Sequence, residues 1–317
     1  MSAAPRAGGG PGSRVVVEPW DPSYGSPVAG SAFGPDAEPE GTVDVSREVD
    51  PSAWTPRTPG RGPATTVVVV DGVRRVDARL WVTDDRGTHA GLAGSCAAGT
   101  VVCGPDGARL GTVAVRRLLV APADVAPIHV AGAPYEPHTV PDDDPDGLVA
   151  AVQDRMRELE AEVVADTTGA ELVLVDGPLR GRTAVENAVG YVKTHRVAYL
   201  PPVVADVVAD LSPGQRTPLF LTRTSWARWS CYVRLPHADG HPWAGVVRIE
   251  LPATLDTAAA VERADLVAAT LPRLASTPHR DPRAPQNLLP IGGLEQALRR
   301  RLGDPALLYR ALRSALR

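Results

Sequence analysis

The chain contains very little lysine and very little cysteine. Among 317 residues there is one lysine, Lys193, and there are three cysteines, Cys96, Cys103 and Cys231. The cysteine count is odd and shows no Cys-x-x-Cys spacing, which argues against a disulfide framework and against a cysteine zinc site. We therefore expect a cytoplasmic protein with reduced thiols.

Long apolar runs, repeats and nucleotide-binding loops are absent from the sequence as well. No apolar stretch approaches the roughly 18 residues of a membrane-spanning helix, and the first residues carry no signal-peptide core. No Gly-x-x-x-x-Gly-Lys-Ser/Thr motif occurs, so any ATP hydrolysis must belong to a partner. Heptads and longer repeats are missing, which sets aside coiled coils and solenoids. The formal net charge of −4 argues mildly against nonspecific coating of nucleic acid.

The overall composition is that of a folded globular protein with an extended N-terminal region. Hydrophobic residues make up 44% and charged residues 22% of the sequence, while 32 prolines and 30 glycines require much loop or extended chain. Residues 1–62 are rich in Gly, Pro, Ala and Ser, so we predict a disordered N-terminus. From Val15 to about Trp54 we expect an extended arm that packs through its aromatic residues. The folded domain is expected over residues 63–317.

Two short apolar runs each end in an aspartate followed by a glycine. Residues 67–72 read VVVVDG, and residues 172–177 read LVLVDG. Such runs are typical of buried strands, and a carboxylate at the carboxyl end of a strand faces the crevice where open sheets bind ligands. Asp71 and Asp176 are therefore candidate metal ligands. The alternative is that each Asp-Gly pair only turns the chain.

The clearest helix is predicted over about residues 146–166. Its apolar positions recur with the helical period and form a stripe of Val149, Val152, Met156, Leu159, Val163 and Thr167. Glu160 falls inside this stripe, whereas Glu158 and Glu162 fall on the outer face. A carboxylate on a buried face is costly unless it is paired or binds a metal. Glu160 is therefore a third candidate ligand, with a salt bridge or a position at the stripe edge as the alternative.

Other elements are predicted from alternating apolar patterns and turn signals. Strands are expected at residues 67–71, 73–83, 100–103, 110–119, 188–195, 219–222, 230–235 and 244–251, with a turn at 84–87 and a proline-rich loop over 121–145. Helices are expected near residues 203–211, at 257–273 and, as one or two segments, at 292–316. The strand over 188–195 ends in a cation, Lys193.

The order of acids in these elements resembles the ribonuclease H-like fold, in which carboxylates on strands and a helix hold two divalent metals. We therefore expect an α/β fold with a mixed sheet flanked by helices and an extended N-terminal arm. More narrowly, the chain resembles the NurA nuclease family, the partners of HerA-type DNA translocases. The resemblance rests on VVVVDG, the helical Glu160, LVLVDGPL at 172–179, VGYVKTH at 189–195 and RIELP at 248–252.

This resemblance implies a nuclease that hydrolyses phosphodiester bonds of DNA, in end processing, repair or defence. Asp71, Glu160 and Asp176 would bind Mn²⁺ or Mg²⁺, because these hard ions prefer carboxylate oxygens. Two such ions roughly 3.5–4 Å apart can activate water and stabilise the leaving oxygen. Lys193 would neutralise charge on the phosphate, unless it is an ordinary lysine in solvent. His195 is expected to support the site or to lie on the surface rather than to bind metal.

The family's usual partners are implied too: DNA, a HerA-like hexameric ATPase translocase and a second copy in a homodimer, with the N-terminal arm and the C-terminal helices as interfaces. Family members commonly carry a proline-rich turn and then a helix with an Ala-His pair. Here the chain reads APQNLLPIGGLEQAL without a histidine, and His279 and Asn287 are the available substitutes. Two other interpretations therefore stay open: a non-catalytic subunit that clamps DNA or regulates the translocase, and an arginine-rich scaffold.

Overall fold

A computed structural model of the chain describes residues 20, 22–24, 26–28, 41–130, 133–165, 169–183, 185, 187–238 and 240–316. Much of the predicted N-terminal arm, including residues 15–17, and Thr167 of the predicted helix lie outside the described residues. The chain divides into two compact units. The first unit comprises Met1–Ala64, Val175–Thr183 and Ala188–Leu289, and the second comprises Thr65–Leu174, Ala184–Asn187 and Pro290–Arg317.

Strands are numbered here in chain order. They are β1 (Thr42–Asp44), β2 (Val67–Asp84), β3 (Gly87–Gly104), β4 (Gly107–Ala121), β5 (Ile128–Val130), β6 (Ala133–Thr139), β7 (Leu172–Asp176), β8 (Ala188–Val192), β9 (Phe220–Arg223), β10 (Ala227–Arg234) and β11 (Val246–Pro252). The helices are α1 (Pro145–Ala165), α2 (Pro202–Ala205), α3 (Thr257–Thr270), α4 (Leu289–Arg301) and α5 (Pro305–Ala315), and short 3₁₀ turns occur at Pro22–Tyr24, Pro51–Ala53, Asp206–Val208 and Leu271–Arg273.

Long strands make up most of the second unit. β2 pairs antiparallel with β3, and β3 pairs antiparallel with β4. β4 pairs parallel with β6, β5 pairs antiparallel with β6, and residues 172–174 of β7 lie beside β2. The sheet of this unit is therefore mixed, in the order β7, β2, β3, β4, β6, β5.

Helices cover both faces of that sheet. On one face α1 lies so close that Val152 touches the position where Gly94 of β3 lacks a side chain. On the other face α4 packs through Leu294 and Leu298 against Val73, Ala97 and Val101. Since Gly94 and Ala97 are three residues apart on one strand, their side-chain directions are opposite, which places α1 and α4 on opposite faces. The apolar side of each helix packs on the sheet, so residues on that side point toward the strands.

The first unit is built on antiparallel strands in the order β1, β9, β10, β11, β8. Its core contains Phe220, Tyr232 and Val246, with the valines of residues 204–208 packed beside them. The described part of the N-terminal region is tied to this core by charge. The Arg216 guanidinium donates to both carboxylate oxygens of Glu48, at 2.9 and 3.0 Å, and to Asp265 at 2.6 Å.

The predicted α/β fold class, a mixed sheet flanked by helices, is confirmed. The helix predicted over residues 146–166 is α1, and Glu160 is buried in it together with Val152, Met156, Leu159 and Val163. Of the described aromatics of the N-terminal region, Trp20 is 6% exposed and Trp54 packs against the core of the first unit, whereas Tyr24 is 52% exposed.

Two element predictions are wrong. Residues 67–71 and 73–83 form the single strand β2, because Asp71 and Gly72 stay extended and pair with Gly99 and Ala98 of β3. The loop predicted over residues 121–145 contains β5 and β6. The prolines of β6 are tolerated because its first half pairs only with β5 and its second half only with β4, so one edge of each half needs no N–H donor.

Candidate metal centre

Asp71 lies inside β2 rather than at its end. Its backbone pairs with Gly99 of β3, and its side chain is buried, with 6% exposure. Successive side chains of a strand point to opposite faces, so Asp71 shares a face with Val73. Val73 packs against Leu294 and Leu298 of α4. The side chain of Asp71 therefore points toward α4.

Glu295 is the residue of α4 that meets it. Asp71 and Glu295 offer carboxylate oxygens within 4.8 Å of each other. Ile291, Leu294 and Leu298 anchor this side of α4 in the core, and Glu295 is half-buried beside them. Glu295 is not among the ligands predicted from the sequence, because the family resemblance leads one to expect a histidine in the C-terminal segment. The available signal was an acid next to the buried leucines of an amphipathic helix.

Glu160 lies on the opposite face of β2. A side chain added at Gly72 would come within 2.5 Å of Glu160 Oε1 and 2.8 Å of Met156 Cγ, so α1 approaches the backbone where Gly72 leaves room. Gly72 and Asp71 are successive residues, and their side-chain directions are opposite. The structure thus brings Glu295, and not Glu160, to the face onto which Asp71 points.

Asp176 ends β7 in the first unit, and Gly177 turns the chain after it. Gly177 has a φ of +94°, in the left-handed region that favours glycine, and its amide donates to the Tyr191 carbonyl at 2.8 Å. The carboxylate of Asp176 is 14% exposed, and its Oδ2 accepts a 2.6 Å hydrogen bond from Lys193 Nζ. Its Oδ1 is buried and has no hydrogen-bond partner among the described residues. A buried carboxylate oxygen in this state is suited to a cation.

Lys193 follows β8 and is held from a second side. Its Nζ also donates to Asn287 Oδ1 at 3.0 Å, and Asn287 Nδ2 donates to Asp281 Oδ2 at 2.7 Å. Asn287 is fully buried, whereas His279 is exposed. Of the two substitutes considered for the missing family histidine, only Asn287 therefore contacts a predicted site residue. The alternative that Lys193 is an ordinary lysine in solvent is wrong, because its side chain is 12% exposed and forms an ion pair with Asp176.

The segment that carries Asn287 is fixed by buried hydrogen bonds. The Tyr191 hydroxyl donates to the Gln286 carbonyl at 2.7 Å, and the Trp20 indole N–H donates to Gln286 Oε1 at 2.9 Å. Complete burial, with the Asp176 charge adding to it, raises the pKa of Tyr191 well above its usual value. Tyr191 therefore remains a neutral donor and holds this segment in place.

His195 is a core residue. It is 4% exposed, packs against the rings of Tyr232 and Trp243, and its Nε2 is 3.0 Å from the Val246 carbonyl oxygen. Burial lowers the pKa of His195 to about 4, so the ring is neutral near pH 7. The expectation that His195 does not serve as a ligand stays a prediction, but a surface position for it is wrong.

The donor chemistry of these residues fits a hard divalent ion. Asp71 and Glu295 present clustered carboxylates, and Asp176 presents a buried oxygen that lacks a hydrogen bond. Carboxylate oxygens without sulfur or imidazole are the ligands that Mg²⁺ and Mn²⁺ prefer. The three cysteines are free thiols, and burial raises the pKa of Cys96 to about 11 and that of Cys231 to about 12, so neither supplies a thiolate ligand.

Comparison with known proteins gives a family for the chain. The NurA domain matches residues 134–291, which contain Glu160, Asp176 and Lys193 and end just before Glu295. Among solved structures, the NurA nuclease from Sulfolobus solfataricus is 10% identical, with a TM-score of 0.45, over 79% of this chain and 86% of that one. An endonuclease V from Bacillus subtilis is 13% identical, with a TM-score of 0.34, over 82% of this chain and 86% of that one.

Comparison with curated protein sequences gave no match. Among the described residues, every helix is too short or too polar to cross a membrane. The match over residues 134–291 agrees with the family that LVLVDGPL and VGYVKTH indicate, and both motifs lie inside it. The chain belongs to the NurA family, a family of nucleases.

Proposed function

We propose that the chain is a divalent-metal-dependent deoxyribonuclease that hydrolyses phosphodiester bonds of DNA. The observation that carries this proposal is the pair of carboxylates on Asp71 and Glu295, brought within 4.8 Å by a strand and a helix far apart in sequence. Like charges this close repel each other unless a cation or a proton lies between them. Carboxylate oxygens clustered in this way are the ligands that a hard divalent ion prefers.

Asp71, Asp176 and Glu295 are the residues that we propose to hold Mn²⁺ or Mg²⁺, and the family resemblance adds Glu160. When bound, such ions activate water and stabilise the leaving oxygen of a phosphodiester. The protein residues supply negative charge, hold the carboxylate oxygens in place and limit access of bulk water. Asp71 is held by the pairing of β2 with β3, and Glu295 is held by the apolar packing of α4.

Lys193 is proposed to place positive charge beside the scissile phosphate. Its ammonium group is held by Asp176 and Asn287, so little rearrangement is needed when the phosphate gains negative charge in the transition state. A donor fixed before the reaction contributes more than a flexible one, because the reorganisation has already taken place. Asn287 and Asp281 support Lys193 in this role and do not touch the substrate.

The partners follow from the family and not from the described structure. We propose that the chain acts in the cytoplasm as a homodimer, docked on a HerA-like hexameric ATPase, in DNA end processing, repair or defence. The missing nucleotide-binding loop supports this arrangement, because DNA translocation would need an ATPase from elsewhere. Size-exclusion chromatography with light scattering tests the dimer, and a monomer at micromolar concentration would contradict it.

The test of the main proposal is cleavage of end-labelled DNA. Purified chain is incubated with single-stranded and double-stranded oligonucleotides in Mn²⁺, Mg²⁺ or EDTA, with and without the translocase. We expect cleavage with Mn²⁺ or Mg²⁺ and none with EDTA. Cleavage that persists in EDTA would show that the carboxylates have another purpose.

The alternative is a non-catalytic NurA subunit that clamps DNA or regulates the translocase. It is favoured by the C-terminal segment, where the family's Ala-His pair has no counterpart. Glu295 weakens that argument, since it supplies a ligand from the same segment. A chain that binds DNA, alters the ATPase rate of the translocase and never cleaves would establish the alternative.

A further inference from the structure

The C-terminal helices carry a local excess of positive charge in a chain that is acidic overall. Between Leu289 and Leu316 there are five arginines and only two acidic residues, in a chain whose formal net charge is −4. All five arginines are exposed: Arg299, Arg300 and Arg301 in the last turn of α4, and Arg310 and Arg313 in α5. We call these five residues the basic surface.

The arginines of the basic surface are not committed to ion pairs. In the part of the chain that the structure describes, none of the five pairs with a carboxylate, and Arg313 only lies over the ring of Tyr309, 5.9 Å from its centre. Exposed arginines elsewhere in the described structure are of two kinds. Arg79, Arg109 and Arg223 also lack an ion pair, but they are scattered singly, whereas the five of the basic surface are clustered on two consecutive helices. Arg47, Arg86 and Arg157 each pair with an aspartate, at 2.6, 3.2 and 2.8 Å. The basic surface therefore leaves guanidinium groups available to an anionic partner.

One explanation internal to the fold would be that the arginines complement the negative end of α4. Two other arginines already lie just beyond that end, at the residues that follow α4. Arg75 donates to the carbonyl oxygens of Gly303 and Leu302 at 2.9 and 3.3 Å, and Arg117 donates to Leu302 at 3.2 Å. Asp304, one of the two acids in this segment, accepts the Leu307 amide at the N-terminus of α5. Three more arginines are not required to cap the helix.

The basic surface begins one turn from the candidate metal centre. Arg299 follows Glu295 by four residues, and residues at this spacing are neighbours on one side of a helix. A phosphodiester near Asp71 and Glu295 would therefore be followed by further phosphates within reach of the arginines. Arginine is well suited to this contact, because its planar group donates two parallel hydrogen bonds to a phosphate.

We propose that the basic surface binds the phosphate backbone of the DNA substrate next to the metal centre, an inference that rests on the proposed nuclease function. The contact is to the backbone, so it is independent of base sequence. It supplies affinity and orientation, while the carboxylates and Lys193 act at the scissile bond. An acidic protein surface is the competing occupant, and binding to DNA by the isolated chain separates the two.

The test measures binding without cleavage. Fluorescence anisotropy of labelled oligonucleotides in EDTA is recorded for wild type and for the variant Arg299→Ala, Arg300→Ala, Arg301→Ala, from about 50 to about 300 mM NaCl. We expect the variant to bind at least about tenfold more weakly at the lowest salt and its plot of log affinity against log salt to be shallower by about 2 or more. Arg310→Ala with Arg313→Ala, on the other helix, should give a smaller loss in the same direction.

A matched control removes three arginines whose charge is already paired: Arg47→Ala, Arg86→Ala, Arg157→Ala. This variant loses the same formal charge, and its affinity and salt slope should stay close to wild type. Circular dichroism melting shows whether each variant is folded, and Arg299→Lys, Arg300→Lys, Arg301→Lys should recover most of the binding. Equal losses in the matched control, or wild-type binding in the α4 variant, would overturn the proposal.

The two proposals fail in different ways. If the α4 variant binds DNA more weakly but the wild type does not cleave DNA, the proposed DNA contact of the basic surface is supported and the proposed nuclease activity is refuted. If the α4 variant cleaves and binds DNA as the wild type does, the nuclease activity is supported and the proposed DNA contact of the basic surface is refuted.

Discussion

The two Asp-Gly pairs of this chain occupy different kinds of backbone. Asp71 and Gly72 lie inside β2 and pair with β3, so the glycine is extended and leaves room for Glu160 and Met156. Asp176 ends β7, and Gly177 leaves the strand with a φ of +94° in open space. Gly72 is needed because Glu160 and Met156 approach the backbone there. Gly177 is needed because the chain turns through a positive φ at that position.

The electrostatic surroundings of the two aspartates also differ. Asp71 faces another carboxylate, Glu295, within 4.8 Å, whereas Asp176 accepts a hydrogen bond from the ammonium of Lys193. The ammonium of Lys193 directly offsets the charge of Asp176. The same two-residue motif therefore contributes to a pair of carboxylates in one unit and to an ion pair in the other.

The largest expected effect comes from removing either aspartate. Asp71→Ala and Asp176→Ala should each lower Mn²⁺-dependent DNA cleavage by at least roughly a thousandfold, well beyond the roughly 10–100-fold loss typical of a residue that only supports a ligand. Asp106→Ala is the control, because Asp106 also precedes a glycine but lies exposed in the turn between β3 and β4. Equal activity in wild type and Asp176→Ala would refute the metal role of Asp176.

Glu295→Gln tests the carboxylate pair of Asp71 and Glu295. The change keeps the shape of the side chain but removes its charge, so it should lower the rate of cleavage by roughly a hundredfold. Excess Mn²⁺ should raise the melting temperature of the wild type, and the variant should lose most of that rise. Glu160→Gln is expected to do the same to a smaller extent, because Glu160 lies on the other face of β2. A greater loss with Glu160→Gln would show that Glu160 is the main partner of Asp71.

Lys193→Ala tests the ion pair. It should lower the cleavage rate by roughly tenfold to a hundredfold, because one charged donor to the phosphate is lost. The Mn²⁺ concentration at half-maximal activity should change little, since Lys193 is proposed to act on the phosphate. Lys193→Arg keeps the charge and should recover part of the rate. A large shift in the Mn²⁺ requirement with an unchanged maximal rate would place the role of Lys193 on the metal instead.

The smallest effects separate the two glycines. Gly72→Ala should destabilise the fold by roughly 1–3 kcal/mol through overpacking, and Gly177→Ala by roughly 1–2 kcal/mol through left-handed strain. Asparagine tolerates positive φ, so Gly177→Asn should cost less than Gly177→Ala, whereas the larger Gly72→Asn should cost more than Gly72→Ala. Urea unfolding measures all four variants. The same ranking of Ala and Asn at both sites would contradict the distinction between them.

Much of the candidate site can be predicted from local sequence. The apolar period of residues 146–166 determines α1 and the burial of Glu160, because a helix can bury only one side. The runs VVVV and LVLV determine buried strands and direct attention to the acids that follow them. The resemblance in Glu160, LVLVDGPL and VGYVKTH indicates the family whose domain matches residues 134–291.

What the sequence could not decide is where separate elements meet. Asp71-Gly72 reads as a strand end, and only the pairing with β3 keeps it extended. Glu295 has no local signal comparable with a buried strand end, and it reaches Asp71 because the leucines of α4 pack on the face to which Val73 and Asp71 point. Local patterns set the direction of each side chain along its own element. Tertiary packing alone decides which side chains from distant elements share a face, because burial favours any apolar partner of suitable shape.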